Sequence, residues 1–361
     1  MSAGACERCL RRSALIARLA GGIELAERRR RGCAVDLLGL DDDALMRALD
    51  AELGPRSPDE HEREPSLRRS ANGTAAEPLC RHDSRYPASL TDAPSPPTVL
   101  WVVGGIARLR ALLAGSAVAV VGARAASAYG LEVARVLGAE LASAGVTTIS
   151  GMAFGIDAAV HAGSLERADT TIAVLAGGPD RPYPKAKQRL HTEIARRGCV
   201  VSELPPGTRS WRWAFPARNR IIASLAAMSV VVEAAEGSGA LITARHAREI
   251  GRDVGGVPGR VTSPLAAGPN ALVADGAALV RDAQDVLDAV FGAGMRHAGE
   301  SPPLAPELAG LLSAVADGCD SLHALLATGR EIDATLAGLA ELELLGRLRR
   351  GPGGRYVAAL G

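Results

Sequence analysis

Residues 118–130 read Val-Ala-Val-Val-Gly-Ala-Arg-Ala-Ala-Ser-Ala-Tyr-Gly, and this stretch decides the fold class. An apolar run, Val118–Val121, passes into a glycine-bearing loop that opens an amphipathic helix. The unit repeats to about residue 290, with further runs at Val146–Ile149, Thr171–Leu175, Cys199–Val201, Val230–Val232 and Val254–Val257. Because continuous apolar strands alternate with helices, we predict an α/β domain whose parallel sheet is covered on both faces.

The loops that follow these strands predict a binding site. Right-handed crossovers place the loop after every parallel strand at the same edge of the sheet, beyond the carboxyl ends of the strands. Six glycine-bearing loops therefore converge on one crevice. No activated serine or cysteine and no paired carboxylates stand out among them. We therefore expect a binding crevice, and not an enzyme.

Two of these loops have the composition of phosphate cradles. In residues 122–130, Gly122 lets an anion approach the backbone, the following helix offers free N–H groups, and Arg124 and Ser127 add polar contacts. The loop is not G-x-G-x-x-G, and the next strand ends in Ser150 where a dinucleotide fold has an acidic residue. Residues 236–243 form a second cradle without the lysine that a nucleotide-hydrolysing P-loop needs.

A third segment, residues 211–220, combines aromatic and basic side chains. Phe-Pro-Ala-Arg-Asn-Arg (215–220) precedes a predicted helix, Ile221–Ala227, and its Arg218, Asn219 and Arg220 offer charge and an amide; the alternative is that the arginines pair with neighbouring carboxylates. Trp211, Trp213 and Phe215 either stack on bases or pack beneath the loop.

Lysine usage is unusual in this chain. Of forty-one Lys and Arg residues, the two lysines, Lys185 and Lys187, lie together in Pro-Tyr-Pro-Lys-Ala-Lys (182–187). Chance under a coding bias against lysine is one explanation. The other is a site that needs a compact, mobile ammonium group.

No complete metal site can be assembled from sequence spacing. Asp157 and His161 lie one helical turn apart but provide only two ligands, and Asp157 is better explained as a first-turn residue that accepts from backbone donors. Cys6 and Cys9 form a C-x-x-C, which is half of a zinc site, but no second pair or histidine pair follows at finger-like spacing. We therefore interpret the six cysteines as reduced thiols and expect no metal and no cofactor.

Composition divides the chain into segments. We predict a helical region over 1–53, a polar linker over 54–84, the sheet domain over 85–291, a second linker over 292–303, and a winged-helix domain over 304–361. The net charge of +1 produces no large uniform electrostatic field, so bulk charge does not indicate a nucleic-acid or membrane partner. Residues 304–361 have five Arg against seven Asp and Glu, a net charge of −2. Short apolar runs and a start without an apolar signal core favour a soluble cytoplasmic protein without a membrane partner.

The order of these motifs resembles the DprA/Smf family, DNA processing protein A of bacteria. The matching segments are VAVVGARAASAYG, ISGMAFGIDAAVHAGSLE, TIAVLAGGPDRPYP, VVSELPPG, FPARNRIIASLA, VVVEAAEGSGALITARHA and VPGRVTSPLAAGPNALVADGA. The resemblance implies an extended Rossmann-like sheet, an N-terminal SAM-like helical domain and a C-terminal winged helix. It also implies a homodimer that binds single-stranded DNA, protects incoming strands and loads the RecA recombinase during natural transformation, without catalytic turnover.

Carried onto this sequence, the resemblance implies a set of strand-contacting residues. They are Gly122, Arg124, Ser127, Phe154, Lys185, Lys187, Arg218, Asn219, Arg220, Ser238, Gly239 and Thr243. Lys187 stands where the family often has Asn, and Phe154 stands where it usually has Arg or Tyr. The second exchange removes a possible phosphate contact and leaves a ring that can stack on a base.

Two other functions compete with this assignment. Nucleoside-monophosphate hydrolases of the related Rossmann-like superfamily share the fold, but they carry P-G-G-x-G-T-x-x-E where this chain reads Val-Pro-Gly-Arg-Val-Thr-Ser-Pro (257–264). A transcriptional regulator would act through the winged tail, which the tail's net charge of −2 disfavours.

Overall fold

The computed structural model describes residues 4–54, 76–91, 93, 95–297, 304–344, 348–351 and 354–358. Contacts divide the chain into two units, residues 1–298 and 299–361. In the described part of the first unit, nine strands form one sheet in the order β1-β2-β6-β5-β4-β3-β7-β8-β9. The strands are β1 (Glu77–Cys80), β2 (Val99–Val103), β3 (Ala117–Val121), β4 (Thr147–Ser150), β5 (Thr171–Leu175), β6 (Cys199–Ser202), β7 (Met228–Val231), β8 (Asp253–Gly256) and β9 (Ala278–Leu279).

The helices of the first unit connect these strands and cover the sheet. They are α1 (Glu7–Arg29), α2 (Cys33–Gly39), α3 (Asp42–Leu53), α4 (Ala88–Thr91), α5 (Ile106–Leu112), α6 (Ala128–Ser143), α7 (Ile156–Arg167), α8 (Gln188–Arg197), α9 (Ala214–Leu225), α10 (Gly239–Glu249), α11 (Ala267–Ala274) and α12 (Ala283–Phe291).

Strands β3 to β9 pair in parallel, and the predicted α/β core is confirmed. Alternation along β3 shows how both faces are buried. Ala119 and Val121 pack in a core with Ile221 of α9, whereas Val118 and Val120 pack with Leu137 of α6 on the opposite face. Both cores come from β-branched and aliphatic runs, which suit strands buried on two sides.

Two strands, β1 and β2, extend the sheet in the antiparallel sense, and neither this sense nor β1 itself was predicted from the sequence. β1 pairs with β2, and β2 pairs with β6, both antiparallel. β1 lies within residues 54–84, which we interpreted as a linker. Its sequence Glu-Pro-Leu-Cys is too short and polar to indicate a strand, and pairing of Leu79 with Leu100 supplies the missing apolar contact.

The N-terminal helices pack against the first unit's sheet domain through the aromatic segment. Trp213 is buried and donates from its indole nitrogen to the carbonyl oxygen of Ala20 in α1, at 3.0 Å. Its main-chain N–H donates to Glu24 at 3.2 Å. Leu15, Ile16 and other apolar residues of α1 share a core with Trp213. Of the two interpretations of this tryptophan, packing beneath the loop is therefore correct.

The second unit contains three helices and a two-stranded hairpin in its described residues. They are α13 (Pro306–Ala316), α14 (Leu322–Ala327), α15 (Ile332–Leu344), β10 (Leu348–Arg350) and β11 (Tyr356–Ala358). The strands pair antiparallel, and the unit has a core of its own that includes Leu311, Leu325, Leu339 and Leu342. This order of elements is the one that a winged helix has, and the winged-helix assignment stays a prediction.

Among residues with described structure, no helix combines the length and apolar character that crossing a membrane requires.

Candidate nucleic-acid interface

A pocket of about 520 Å³ opens at the carboxyl edge of the sheet, where the loops that follow β3, β4 and β7 meet α9. Seven of the twelve predicted strand-contacting residues line it. They are Gly122, Arg124, Arg218, Asn219, Ser238, Gly239 and Thr243. Of the six loops predicted to converge, four contribute to this concave site, since Leu265 of the sixth loop also lines it, and the loops after β5 and β6 do not.

Arg218 forms part of the pocket wall and is almost fully buried. Its guanidinium donates to the carbonyl oxygen of Gly151 at 2.6 Å and to that of Val174. A Cβ on Gly151 would overlap this guanidinium, so the glycine after β4 is required to let the arginine lie beneath the loop. Arg218 is thus held by the ends of two adjacent strands.

Asp157 faces this arginine. A carboxylate oxygen of Asp157 lies 3.8 Å from the Arg218 guanidinium and accepts from the main-chain N–H of Ala153 at 3.3 Å. The predicted role of Asp157 as acceptor for backbone donors is confirmed. Burial raises the pKa of Asp157 and lowers that of Arg218 to about 10, so the arginine keeps its charge at neutral pH.

Hydrogen bonds from nearby side chains fix the loop before α10. Asn219 donates from its amide nitrogen to the carbonyl oxygen of Gly239 at 3.0 Å, and Ser238 caps α10 by accepting from Ala240 N–H at 3.4 Å. Gly237 has a φ of +73°, which favours glycine at this turn. Asn219 and Ser238 therefore fix the backbone that borders the pocket.

The predicted phosphate cradle at the start of α6 is filled by a side chain of the protein. Glu233, which follows β7 and is buried, accepts from the Ser127 hydroxyl at 2.5 Å and from the Ser127 N–H at 2.9 Å. A Cβ on Gly130 in the first turn would overlap the same carboxylate. Ser127 is also the N-cap of α6, because its hydroxyl oxygen accepts from the Gly130 N–H at 3.0 Å. The hydroxyl that we predicted to contact a phosphate is therefore already engaged as donor and as acceptor. The acidic residue that follows the apolar run Val230–Val232 was the available signal.

Arg220 is also placed differently from the prediction. Residues 215–220, which we expected to precede a helix, lie inside α9. A helix can include Pro216 because this proline lies in the first turn, where a main-chain N–H has no acceptor within the helix. Arg220 is 2% exposed and forms a two-pronged pair with Glu203, at 2.7 and 2.9 Å. The alternative interpretation, an arginine–carboxylate pair, is correct for this residue.

The rim of the edge carries exposed rings beside cations. Phe154 is 45% exposed with the Lys187 ammonium 5.9 Å from its ring centre. Tyr183 is 48% exposed, and its ring centre lies 5.1 Å from that of Phe215. The guanidinium of Arg124 lies 4.9 Å from the Phe215 ring centre. A group of exposed apolar rings beside polar side chains is typical of a surface that binds a ligand.

Lys185 shares a short 3₁₀ helix with Lys187, residues Lys185–Lys187, in the loop after β5. It is exposed and belongs to the same sheet edge, but it does not line the pocket. Tyr183 and Phe215 complete the rim, and sequence reasoning had not assigned Tyr183 a role.

Comparison with known proteins agrees with this architecture. A family model described as DNA recombination-mediator protein A matches residues 77–291. The chain belongs to this family. Its DprA relative in Mycobacterium tuberculosis is 48% identical over 206 residues, which are 57% of this chain and 52% of the relative, so the match spans about half of that protein. The Smf protein of Escherichia coli is 35% identical over 283 residues, 75% of this chain and 74% of the relative.

Solved DprA structures share the fold. The X-ray structure of DprA from Streptococcus pneumoniae superposes with a TM-score of 0.59 at 31% identity, and covers 78% of this chain and 96% of the other. The DprA structure from Helicobacter pylori gives a TM-score of 0.52 at 26% identity, and covers 57% of this chain and 92% of the other. The predicted DprA/Smf membership and Rossmann-like sheet core are therefore confirmed.

Proposed function

We propose that this chain binds single-stranded DNA along the carboxyl edge of its sheet and turns over no substrate. The observation that carries the proposal is the rim, where the exposed rings of Phe154 and Tyr183 stand next to Lys187, Phe215 and Arg124. Unpaired bases stack on exposed rings, and neighbouring cations meet the phosphates. A duplex hides its base faces and cannot use such a surface.

The Helicobacter pylori relative is described as having a unique single-stranded DNA binding mode, which supports the same ligand class. We assign the contacts to Arg124, Phe154, Lys185 and Lys187 on the rim, and to Gly122, Gly239 and Arg218 in the pocket. Asn219 and Ser238 hold the loop that borders the pocket, and Thr243 lines it. Arg220 and Ser127 are left out of this set because both are engaged with glutamates.

We propose that the chain has the cellular role that its resemblance to the DprA/Smf family implies. The chain acts in the cytoplasm as a homodimer, protects incoming single strands, and loads RecA on them during natural transformation. The second unit would serve partner contacts, since the net charge of −2 over residues 304–361 is unsuited to tracking phosphates.

The deciding experiment compares three ligands at matched salt: a labelled single-stranded oligonucleotide, the same sequence as duplex, and a nucleoside monophosphate. We expect the single strand to bind more tightly than the duplex, with affinity that falls as salt rises. Equal affinity for both polymers would overturn the rim assignment. Tight monophosphate binding with release of free base would instead establish the hydrolase alternative.

The partner role needs its own assay. The rate of RecA filament formation on single strands should rise when the chain is added. An unchanged rate in the presence of saturating chain would overturn RecA loading and leave strand binding intact.

A further inference from the structure

Four potential metal ligands meet where the start of the chain contacts the edge of the sheet. Cys6, Cys9, Cys80 and His82 each offer one ligand atom, and all four atoms lie within 4.8 Å of one another. The Nδ1 atom of His82 lies 3.5 Å from the Cys6 sulfur and 3.3 Å from the Cys9 sulfur. Ligands of a tetrahedral zinc ion stand about 3.5–3.8 Å apart, given Zn–S and Zn–N bonds of about 2.3 and 2.0 Å.

The local backbone accounts for this arrangement. Cys6 is the N-cap residue of α1 and Cys9 lies in its first turn, while Cys80 ends β1 and His82 lies in the turn that follows. The N–H of Cys80 donates to the carbonyl oxygen of Gly4 at 2.8 Å. Gly4 has a φ of +72°, and a Cβ there would overlap Pro78, so glycine allows the incoming chain to lie against β1.

Two of the four ligands are buried and two are exposed. Cys9 and Cys80 are buried in a small core with Val99 and Trp101, which keeps water from one side. Cys6 and His82 are exposed on the other side, so an ion can enter from solvent. Two buried sulfurs and two accessible ligands form a site that can be filled after the fold has formed.

We propose that Cys6, Cys9, Cys80 and His82 bind a structural zinc ion that fastens α1 to β1. Three thiolates and one imidazole are the ligand set of Cys₃His sites, and four protein ligands leave no position for a substrate. Our interpretation of Cys6 and Cys9 as plain thiols is thereby revised. It relied on the lack of a second pair at short spacing, whereas His82 is 73 positions from Cys9 and comes close to it where the residues before α1 lie against β1.

Metal analysis of the full-length chain, purified without chelator or metal-affinity resin, tests this proposal. We expect about one zinc per chain, and a cobalt(II)-loaded protein with the thiolate charge-transfer and intense visible bands of tetrahedral cobalt. Zinc should also protect Cys6, the exposed thiol of the cluster, from alkylation. Less than about a tenth of an equivalent after zinc supplementation, with no tetrahedral cobalt spectrum, would overturn the site.

Matched variants separate binding from folding. His82→Ala removes an exposed ligand and should weaken zinc binding at least tenfold while the chain stays folded. Cys33→Ser changes a buried cysteine outside the cluster and should keep the zinc of the parent chain. Equal zinc content in a well-folded His82→Ala variant would contradict the ligand assignment. A Cys6–Cys9 or Cys6–Cys80 disulfide in freshly reduced, zinc-exposed protein would overturn it as well.

Discussion

The carboxylate of Glu233 accepts hydrogen bonds from both the hydroxyl and the main-chain N–H of Ser127, so a residue that follows β7 holds the N-cap serine of the helix that follows β3. A carboxylate of the protein itself therefore lies at the positive end of α6. In the proposed interface, phosphates of a single strand would therefore be met by the rim cations, Arg124, Lys185 and Lys187. The charge of the interface is thus carried by flexible side chains and not by a preformed helix terminus.

Glu233→Ala should lower the free energy of unfolding by about 1–3 kcal/mol, because two donors of Ser127 lose their buried acceptor. Glu236→Ala, three positions further along and exposed, is the control and should change stability by less than about 0.5 kcal/mol. Urea denaturation of both variants provides the comparison. Equal stabilities would show that solvent replaces the carboxylate at the helix start.

Arg124→Ala and Lys187→Ala should each weaken single-strand binding and flatten its salt dependence by roughly one unit, as expected when one phosphate contact is lost. Arg167→Ala removes the same charge from the last turn of α7, far from the carboxyl edge, and should leave the salt slope unchanged. Binding isotherms at several salt concentrations measure the slopes. Parent-like slopes in the rim variants would remove these residues from the interface.

Phe154→Ala should weaken single-strand binding by about 1–3 kcal/mol without changing the salt slope, because a ring stacks on bases but carries no charge. Phe154→Tyr keeps the ring and should retain most of the affinity. An alanine variant that binds like the parent would mean that the exposed ring serves another partner.

The contrast between Arg218 and Arg220 shows what sequence could and could not predict. The strands were readable because β-branched runs are a local signal, and the loops at their ends follow from handedness alone. Whether each arginine reaches the pocket depends on where α9 begins, since residues two apart on a helix point to different sides. Arg218 therefore faces the pocket and Arg220 faces Glu203. The proximity of Cys80 to Cys9 was beyond prediction for another reason, since it depends on how the start of α1 packs against a strand about 70 residues later.

Histidine burial predicts a loss of stability in acid. His161 is fully buried, its Nδ1 lies 2.7 Å from the Thr171 hydroxyl, and its Nε2 has no hydrogen-bond partner among the described residues. Burial lowers its pKa to about 3. The unfolded chain takes up a proton below about pH 6.5, so this contribution is present above that pH and is lost as pH falls toward 3.

Between about pH 7.5 and pH 5, the parent chain should therefore lose about 2 kcal/mol more stability than His161→Gln. Urea unfolding at both pH values measures the difference. His191 and His246, whose pKa values burial also lowers, are present in both proteins and cancel. Parallel losses in the two proteins would show that His161 is not the acid-sensitive group.

Removal of residues 298–361 should change single-strand affinity by no more than about twofold, because the pocket and rim belong entirely to the first unit. Circular dichroism and thermal unfolding should confirm that the truncated chain is folded before isotherms are compared. A hundredfold loss in a folded truncation would move the DNA site to the second unit. A loss confined to the RecA assay would assign partner contacts to that unit.

Because α1 packs on two buried tryptophans, tryptophan fluorescence reports whether this helix is attached. Trp101 donates from its indole to the Ser13 hydroxyl at 2.9 Å, and Trp213 donates to Ala20, so both buried indoles are bonded to the same helix. Detachment of α1 would expose both rings to water together and shift their fluorescence emission to longer wavelength. A simple emission spectrum can therefore follow whether the N-terminal helix stays attached when metal, DNA or a partner is added.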